Sequence, residues 1–329
     1  MIKYWNRIMK KITAKVDLET TQTFKKWNGK FLDESAYTEV ITVTEDTAVL
    51  KPVATLDGDI PLAYIITDAY PNNRVRDVLM SIEDSSTMRA NCSGPINKKE
   101  MEDKGLVEGH DYKLRTPNSY YVRTSKGGWG MIAYSNEINS VMIGYKRGRF
   151  TGAIDSSGWT KDNPEKFEIL QDLALYNERA FEKSNPEIYK RQKAFSESFI
   201  KPEHRIGIFT TLSANRYHVG QTKQMSAHVD SGDTDAGLTT MCLFRDGDYS
   251  GGFLVFPQFG IAIDAPSHSV LICDSNCIHG VSPISGNGQR FTAVAYTDRR
   301  LSSIGVFGRG EKLIGKYAAK VSGSLEDFL

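Results

Sequence analysis

The stretch His228-Val229-Asp230, with a third donor, His279, about fifty residues later, constrains the fold more than any other feature of the chain. On a β-strand, residues i and i+2 point to the same face, so His228 and Asp230 aim at one point. His279 then has to arrive from a different strand, and a folded-back sheet supplies it. The strand-rich run from 205 to 299 fits that demand. It holds short β-type runs at 205–212, 238–244, 253–256, 260–263, 269–273 and 290–297, separated by Gly and polar turns. Many short strands at close spacing predict a sandwich or barrel of jelly-roll type. Two imidazoles and one carboxylate on a triangular face would hold a single metal ion and leave three positions open.

The rest of the chain reads as support. Residues 37–52 alternate as a strand, turn at Glu45-Asp46 and continue into a second strand, and 62–66 reads as a buried strand. Residues 74–83 have helical spacing through Val75, Val78, Leu79 and Ile82. From 84 to 130 there is no clear periodicity, although aromatic residues argue against disorder. An apolar run at 141–145 precedes the basic cluster Lys146, Arg147 and Arg149. Asp162-Asn163-Pro164-Glu165 and Ser184-Asn185-Pro186-Glu187 each read as a capped helix start, the first with Phe167, Leu170, Ala174 and Phe181 on its buried face. The first thirty residues carry eight Lys or Arg against two acidic residues, and read as a solvated terminal segment.

A chain of 329 residues is long enough to bury a substantial core, and its formal net charge of +1 neither demands nor excludes an anionic partner. Cys92, Cys242, Cys273 and Cys277 are too few and too irregular for a disulfide framework, which points to a reducing, intracellular setting. The basic N-terminus lacks the continuous apolar run of a secretory signal, and no stretch is long enough to span a membrane. The expectation is a soluble protein, in cytoplasm or nucleus, with no obligate protein partner.

Two His and one carboxylate form the facial triad of non-haem Fe(II) oxygenases. The residues around the triad extend that pattern. Gly251-Gly252-Phe253-Leu254-Val255-Phe256 places a flexible turn before a strand, and Arg290 opens a strand eleven residues after His279. A buried guanidinium at Arg290 would grip a carboxylate bidentately. Asn215 and Tyr217 lie just upstream of the first ligands and offer an amide and a phenol. Together, His228-x-Asp230, Gly251-Gly252-x-Leu254-x-Phe256, His279-Gly280-Val281-x-Pro283 and Gly288-x-Arg290 resemble the Fe(II)/2-oxoglutarate-dependent dioxygenases. The resemblance implies an α+β fold: a double-stranded β-helix (jelly-roll) core, a mixed α/β N-terminal extension and two supporting helices. It further implies Fe(II) on His228, Asp230 and His279, 2-oxoglutarate gripped by Arg290 with Asn215 and Tyr217 beside it, and O2 as oxidant. One catalytic domain is expected over 1–329, with the extension over 1–160, helices over 162–200, the core over 201–300 and a tail over 301–329.

Within that superfamily two branches are similar. His228-Val229-Asp230-Ser231-Gly232-Asp233 and the large N-terminal extension resemble the TET/JBP-like enzymes, which oxidise the 5-methyl group of pyrimidines in nucleic acid. The Gly-Gly-x-Leu-x-Phe and His-Gly-Val-x-Pro pieces also resemble prolyl-hydroxylase-type enzymes, where Lys usually replaces the Arg found here at 290. The first branch implies DNA as partner and 5-methylcytosine or thymine as target. The alternative is a protein or small-molecule hydroxylase with the same iron site, and a third possibility is a non-catalytic binding module that keeps the ligands. A base hydroxylase must flip its target and hold it between flat side chains. Tyr120, Tyr121, Trp129 and Tyr145 with Arg123, Lys126, Lys146, Arg147 and Arg149 would suit such a surface, and Arg89 and Asn91 would read a base edge. The blander reading of that stretch is ordinary core and solvated charge. His110, His204, His218 and His268 lack partners at ligand spacing, and Cys273 and Cys277 read as buried thiols rather than zinc ligands.

Overall fold

The computed structural model describes residues 9–52, 59–70, 73–81, 98–103, 105–116, 119–124, 127–133, 139–148, 152–218 and 226–302. Sixteen strands occur among these residues. They are β1 (Lys10–Thr13), β2 (Glu39–Thr42), β3 (Thr47–Leu50), β4 (Pro61–Ile66), β5 (Tyr112–Thr116), β6 (Ser119–Arg123), β7 (Trp129–Ala133), β8 (Asn139–Arg147), β9 (Ile154–Ser156), β10 (Thr211–His218), β11 (Thr239–Gly251), β12 (Leu254–Phe256), β13 (Ile261–Asp264), β14 (Ser269–Cys273), β15 (Gly280–Val281) and β16 (Ile284–Tyr296). The helices are α1 (Thr20–Trp27), α2 (Arg74–Met80), α3 (Lys98–Asp103), α4 (Gly158–Asp162), α5 (Pro164–Ser184) and α6 (Pro186–Phe199).

The strands form mixed sheets. A nine-stranded sheet runs β1-β3-β4-β14-β11-β16-β10-β8-β9, and a four-stranded sheet runs β15-β12-β13-β2. Alternation of side chains gives the large sheet two different faces. Leu212 and Ala214 of β10, Cys242 and Phe244 of β11, and Phe291 and Ala293 of β16 pack against Leu170, Leu173, Ala174 and Phe181 of α5. On the opposite face, Leu243, Leu271 and Ile65 meet Leu254, Phe256, Ile261 and Ile263 of the smaller sheet. Both faces are thus covered, and the near-continuous apolar runs of β4 and β14, buried at every position, follow from that.

The two Asn-Pro-Glu signals do start α5 and α6, each with Pro in the first turn. Only Asn185 caps through its side chain, which accepts from the Ile188 amide at 3.0 Å. Asn163 instead donates its side-chain amide to the Trp159 carbonyl at 3.0 Å and closes α4.

Three expectations need correction. The strand anticipated at 205–212 begins only at Thr211, because Ile206 and Phe209 close a tight turn around Gly207, whose φ is +63°. The aperiodic stretch contains α3 and an antiparallel sheet β5-β6-β7, with Met101, Tyr112 and Tyr120 forming a small core of their own. The basic N-terminal segment is not a solvated arm from Lys10 onwards. β1 pairs parallel to β3, and Trp27 and Leu32, 7% and 1% exposed, join a core with Ala227, Val255, Ala262 and Ile278. Its lysines lie on the outer side, Lys11 on Asp59 at 2.9 Å and Lys15 on Glu39 at 3.2 Å, so charge and burial coexist in one segment.

Candidate metal centre and its cavity

The chain segments carrying the two histidines lie side by side. His228 and His279 form an antiparallel bridge, each amide donating to the other's carbonyl at 2.8 and 2.9 Å. Ala227 and Ile278, which precede them, are anchored in the N-terminal core. The amide of Gly29 donates to the Ala227 carbonyl at 2.8 Å, and the amide of Ala227 returns a bond to Lys30. A Cβ on Gly280 would meet Leu32 at 2.7 Å, so the segment beyond α1 lies directly behind the bridge. Sequence reading missed this backing, since nothing local in residues 19–36 announces its partner.

Side-chain geometry completes the centre. One donor atom each from His228, Asp230 and His279 lies within 4.8 Å of the others. His228 Nε2 is 3.3 Å from Asp230 Oδ1, and His279 Nε2 is 3.6 Å from Asp230 Oδ2. Nδ1 of His228 faces the Ser226 carbonyl at 2.7 Å, and Nδ1 of His279 faces the Cys277 carbonyl at 3.0 Å. A carbonyl only accepts, so each Nδ1 carries the proton and each Nε2 lone pair is turned towards Asp230. That is the backbone support that metal-bound imidazoles commonly have. Burial works against a charge on His228, but the hydrogen bond and charge of Asp230 outweigh it and raise its pKa. Burial and the neighbouring His228 lower that of His279. Burial would raise the Asp230 pKa, yet His228 and His279 hold it below the ordinary carboxylate value. With both imidazoles deprotonated at Nε2, two nitrogens and a carboxylate on one small face fit a divalent first-row metal ion.

The triad lines a cavity of about 390 Å³, with walls read off the strand period. Ser213, Asn215 and Tyr217 come from β10, Arg290, Thr292, Val294 and Tyr296 from β16, and Thr239 and Met241 from β11. Arg290 stands opposite Tyr217 in register, with its guanidinium 5.8 Å from that ring. It is 2% exposed, and its Nε has no hydrogen-bond partner among the described residues. Burial, with Arg245 on the facing strand, pulls its pKa down despite the tyrosines nearby. A buried cation in this state asks for an anion from outside the chain. Asn215 takes a hydrogen bond from Ser140 Oγ at 2.6 Å and gives one to Thr292 Oγ1 at 3.5 Å, so strand neighbours fix its amide.

Asp233 was not singled out as a site residue. It is 5% exposed, lines the same cavity, and its Oδ2 accepts from Thr239 Oγ1 at 2.5 Å and Ser275 Oγ at 2.8 Å. The Ser275 carbonyl in turn accepts the Asp230 amide at 3.1 Å, which ties the loop of the carboxylate ligand to the loop before His279. Burial and the Asp230 charge push the Asp233 carboxyl well above its ordinary pKa.

Apart from Arg147, whose Nε donates to the carbonyl of the cavity-lining Arg300 at 2.6 Å, the described base-binding candidates do not gather here. Arg89 and Asn91 lie outside the described residues, as do Lys126 and Arg149. Tyr120 is buried against Tyr112, and Tyr145 packs edge-on to Phe167. Trp129 lies under Lys113 at 4.9 Å and Arg123 at 5.8 Å. Cys273 and Cys277 are buried free thiols, as expected, and burial raises both.

Fold and centre together define a class: a two-sheet β architecture, flanked by helices, with a two-histidine, one-carboxylate cluster in the cavity between its sheets. The particular likeness is to NgTET1, solved in complex with 5mC DNA. It superposes with a TM-score of 0.50 over 91% of this chain and 100% of that chain, at 11% identity. An oxidoreductase of the 2OG-Fe(II) oxygenase family from Burkholderia pseudomallei aligns at TM-score 0.33 and 13% identity, over 49% of this chain and 69% of its own. A prolyl hydroxylase from Trichoplax adhaerens, in complex with a hypoxia inducible factor peptide fragment, aligns at 0.34 and 13%, over 75% and 88%. No family model matches the chain, and no curated protein matches it in sequence. The resemblance to the 2-oxoglutarate-dependent oxygenases, TET-like in particular, is therefore one of fold. Among the described residues no helix is long and apolar enough to cross a membrane.

Proposed function

We propose that this chain is an Fe(II)/2-oxoglutarate-dependent dioxygenase that hydroxylates the 5-methyl group of a pyrimidine, 5-methylcytosine or thymine, in DNA. One observation carries the oxygenase part: the three-donor cluster shares a cavity with a buried arginine whose Nε has no partner among the described residues. We read the facing sheets as a double-stranded β-helix, because the chain from β10 to β16 crosses repeatedly between the two sheets, with β10, β11, β14 and β16 in one and β12, β13 and β15 in the other. We also read 201–300 as its core within one catalytic domain.

His228, Asp230 and His279 would hold Fe(II), and Arg290 would take the distal carboxylate of 2-oxoglutarate in a bidentate grip. When bound, the metal, its co-substrate and O2 supply the oxidant that replaces a C–H bond by C–OH. The chain's own part is positional. The Ser226 and Cys277 carbonyls hold each imidazole in the tautomer that offers Nε2. Asp233 and Ser275 fix the loop that carries Asp230. Leu254, Val281, Met241 and Val294 give the cavity an apolar wall that limits water near the reacting carbon. Asn215 and Tyr217 lie on the same wall as Arg290 and would meet the same co-substrate.

DNA as substrate rests on the fold likeness to NgTET1, whose structure holds 5mC DNA, and on the motif resemblance. The test is aerobic incubation of Fe(II)- and 2-oxoglutarate-loaded protein with DNA containing 5-methylcytosine or thymine, read by nucleoside mass spectrometry. A hydroxymethyl base that is lost in His228→Ala is the expected result. Succinate formed without any modified base would retain the iron site and discard DNA.

A further inference from the structure

The cavity contains a second arginine, which follows the end of β16, whereas the first sits in the middle of that strand. Beyond Tyr296 the chain turns through a short 3-10 turn, Arg299–Leu301, that brings Arg300 back to the cavity lining. Arg290 is 2% exposed, whereas the Arg300 side chain is 48% exposed. One end of the cavity is therefore closed over a cation, and the other opens beside one.

Arg300 is built into place. Its Nε donates to Asp298 Oδ1 and Oδ2 at 2.8 and 3.0 Å, and its Nη2 to Oδ2 at 2.6 Å. Asp298 is 2% exposed, so this grip is anchored in the core. The Arg300 carbonyl accepts from Arg147 Nε at 2.6 Å, and the amide of Arg299 donates to the Gly232 carbonyl at 3.0 Å. A Cβ on Gly232 would meet Arg300 Nη2 at 3.2 Å, so the guanidinium lies against the residue two positions past Asp230. Two residues span at most about 7 Å, which places this cation beside the metal cluster. The bonds to Asp298 use Nε and Nη2, while Nη1 makes no hydrogen bond among the described residues. Arg147 gives its bonds to the carbonyls of Arg300, Gly152 and Ser302, while Arg300 pairs with Asp298 and Arg299 lies 3.9 Å from Asp235.

We propose that Arg300 is an anion anchor for the substrate, its Nη1 edge taking a backbone phosphate next to the target base while Arg290 holds the co-substrate at the closed end. This rests on the DNA reading and adds a point of contact that fixes the strand's direction across the cavity. Phosphate contacts set register and orientation without reading sequence, which is what a base presented to a fixed centre requires.

The experiment pairs a protein change with a DNA change. Turnover and fluorescence-anisotropy binding are measured for wild type, Arg300→Ala and Arg300→Lys on a methylated oligonucleotide, and on the same oligonucleotide with one neutral methylphosphonate flanking the target. Arg300→Ala is expected to weaken DNA affinity roughly tenfold to a hundredfold, with Lys recovering part of it. The anaerobic Fe(II)·2-oxoglutarate charge-transfer band is expected to titrate as in wild type, which separates the effect from misfolding. At one flanking position, the methylphosphonate should cost wild type the same factor and Arg300→Ala nothing further. Wild-type affinity in Arg300→Ala, or full additivity at every flanking position, would overturn the anchor while leaving base hydroxylation standing. Bound DNA without a modified nucleoside in wild type would overturn the hydroxylation instead, and the binding curves would still decide the anchor.

Discussion

Arg290 is costly to the folded chain, since a guanidinium 2% exposed with an unpartnered Nε gives up hydration for little in return. That cost makes sense if a carboxylate arrives. Arg290→Lys keeps the charge but loses the planar fork. It should weaken 2-oxoglutarate binding about tenfold to a hundredfold in an anaerobic charge-transfer titration, with metal affinity unchanged. Asp233 has a second cost of the same kind. Its carboxyl is held well above its ordinary pKa by burial first and the Asp230 charge second. A raised carboxylate binds its proton more tightly in the folded state than in the unfolded one. Stability therefore falls as pH climbs from the unfolded pKa to the folded one, and the deficit persists above it. Asp233→Asn keeps an acceptor for Thr239 and Ser275 and removes the charge. The metal-free variant should melt a few degrees above wild type at pH 8, with the gap closing on acidification in a pH series of thermal melts. The gathering of His228, Asp230 and His279, with Arg290 in the same cavity, was legible in the sequence because a three-donor cluster tolerates few residue types at fixed spacing. Asp233 was not, because Ser275 becomes its neighbour only when the loops close, and Arg300 was not, because its approach to Gly232 leaves no mark in the sequence around Asp298.

Secondary structure was legible where local chemistry decides it. The Asn-Pro-Glu starts, the 269–273 strand and the Glu45-Asp46 turn all appear where turn residues and periodicity place them. Strand ends were less legible. β11 and β16 each run 13 residues, well past their apolar stretches, because their pairing continues through Asp246–Gly251 and Ile284–Gln289. Backbone pairing carries no hydrophobic signal. The Gly251-Gly252 pair ends β11, with φ of +80° and +70°. A Cβ at Gly251 would lie 1.8 Å from the Pro283 carbonyl oxygen, so neither conformation nor space allows a side chain there. Gly105 has a similar φ, +71°, but nothing within 4 Å of such a Cβ. Gly105→Ala should cost about 1 kcal/mol in urea unfolding, and Gly251→Ala about 3 kcal/mol or more, since the strand pair carrying Arg290 must shift. Equal losses would mean that conformation alone matters at both positions.

At the scale of the molecule, the N-terminal strands belong to the sheets that make the cavity. β4 pairs with β14 through Ile66 to Ala63, and β2 pairs parallel to β13. The strands at 39–42 and 61–66 gave no hint of these partners, since strand pairing across more than two hundred residues leaves no periodic mark on either partner. The arrangement leads to a definite expectation for a shortened chain. Removing residues 1–66 would strip β1, β2, β3 and β4, and open the edges of β14 and β13 together. All five residues of β14 are buried, and its Val270, Leu271 and Ile272 would then border a row of unpaired amides and carbonyls. Such an edge is a template for intermolecular pairing. The same cut removes Trp27 and Leu32 from behind the bridge of His228 and His279, so the metal cluster loses its support along with the sheet. A 67–329 chain should therefore aggregate on expression. If the edges are shielded by refolding in dilute detergent, it should still bind Fe(II) far more weakly than the full chain in a metal titration. A monodisperse 67–329 chain with full metal and 2-oxoglutarate affinity would show instead that the strands from 211 onwards close the cavity alone.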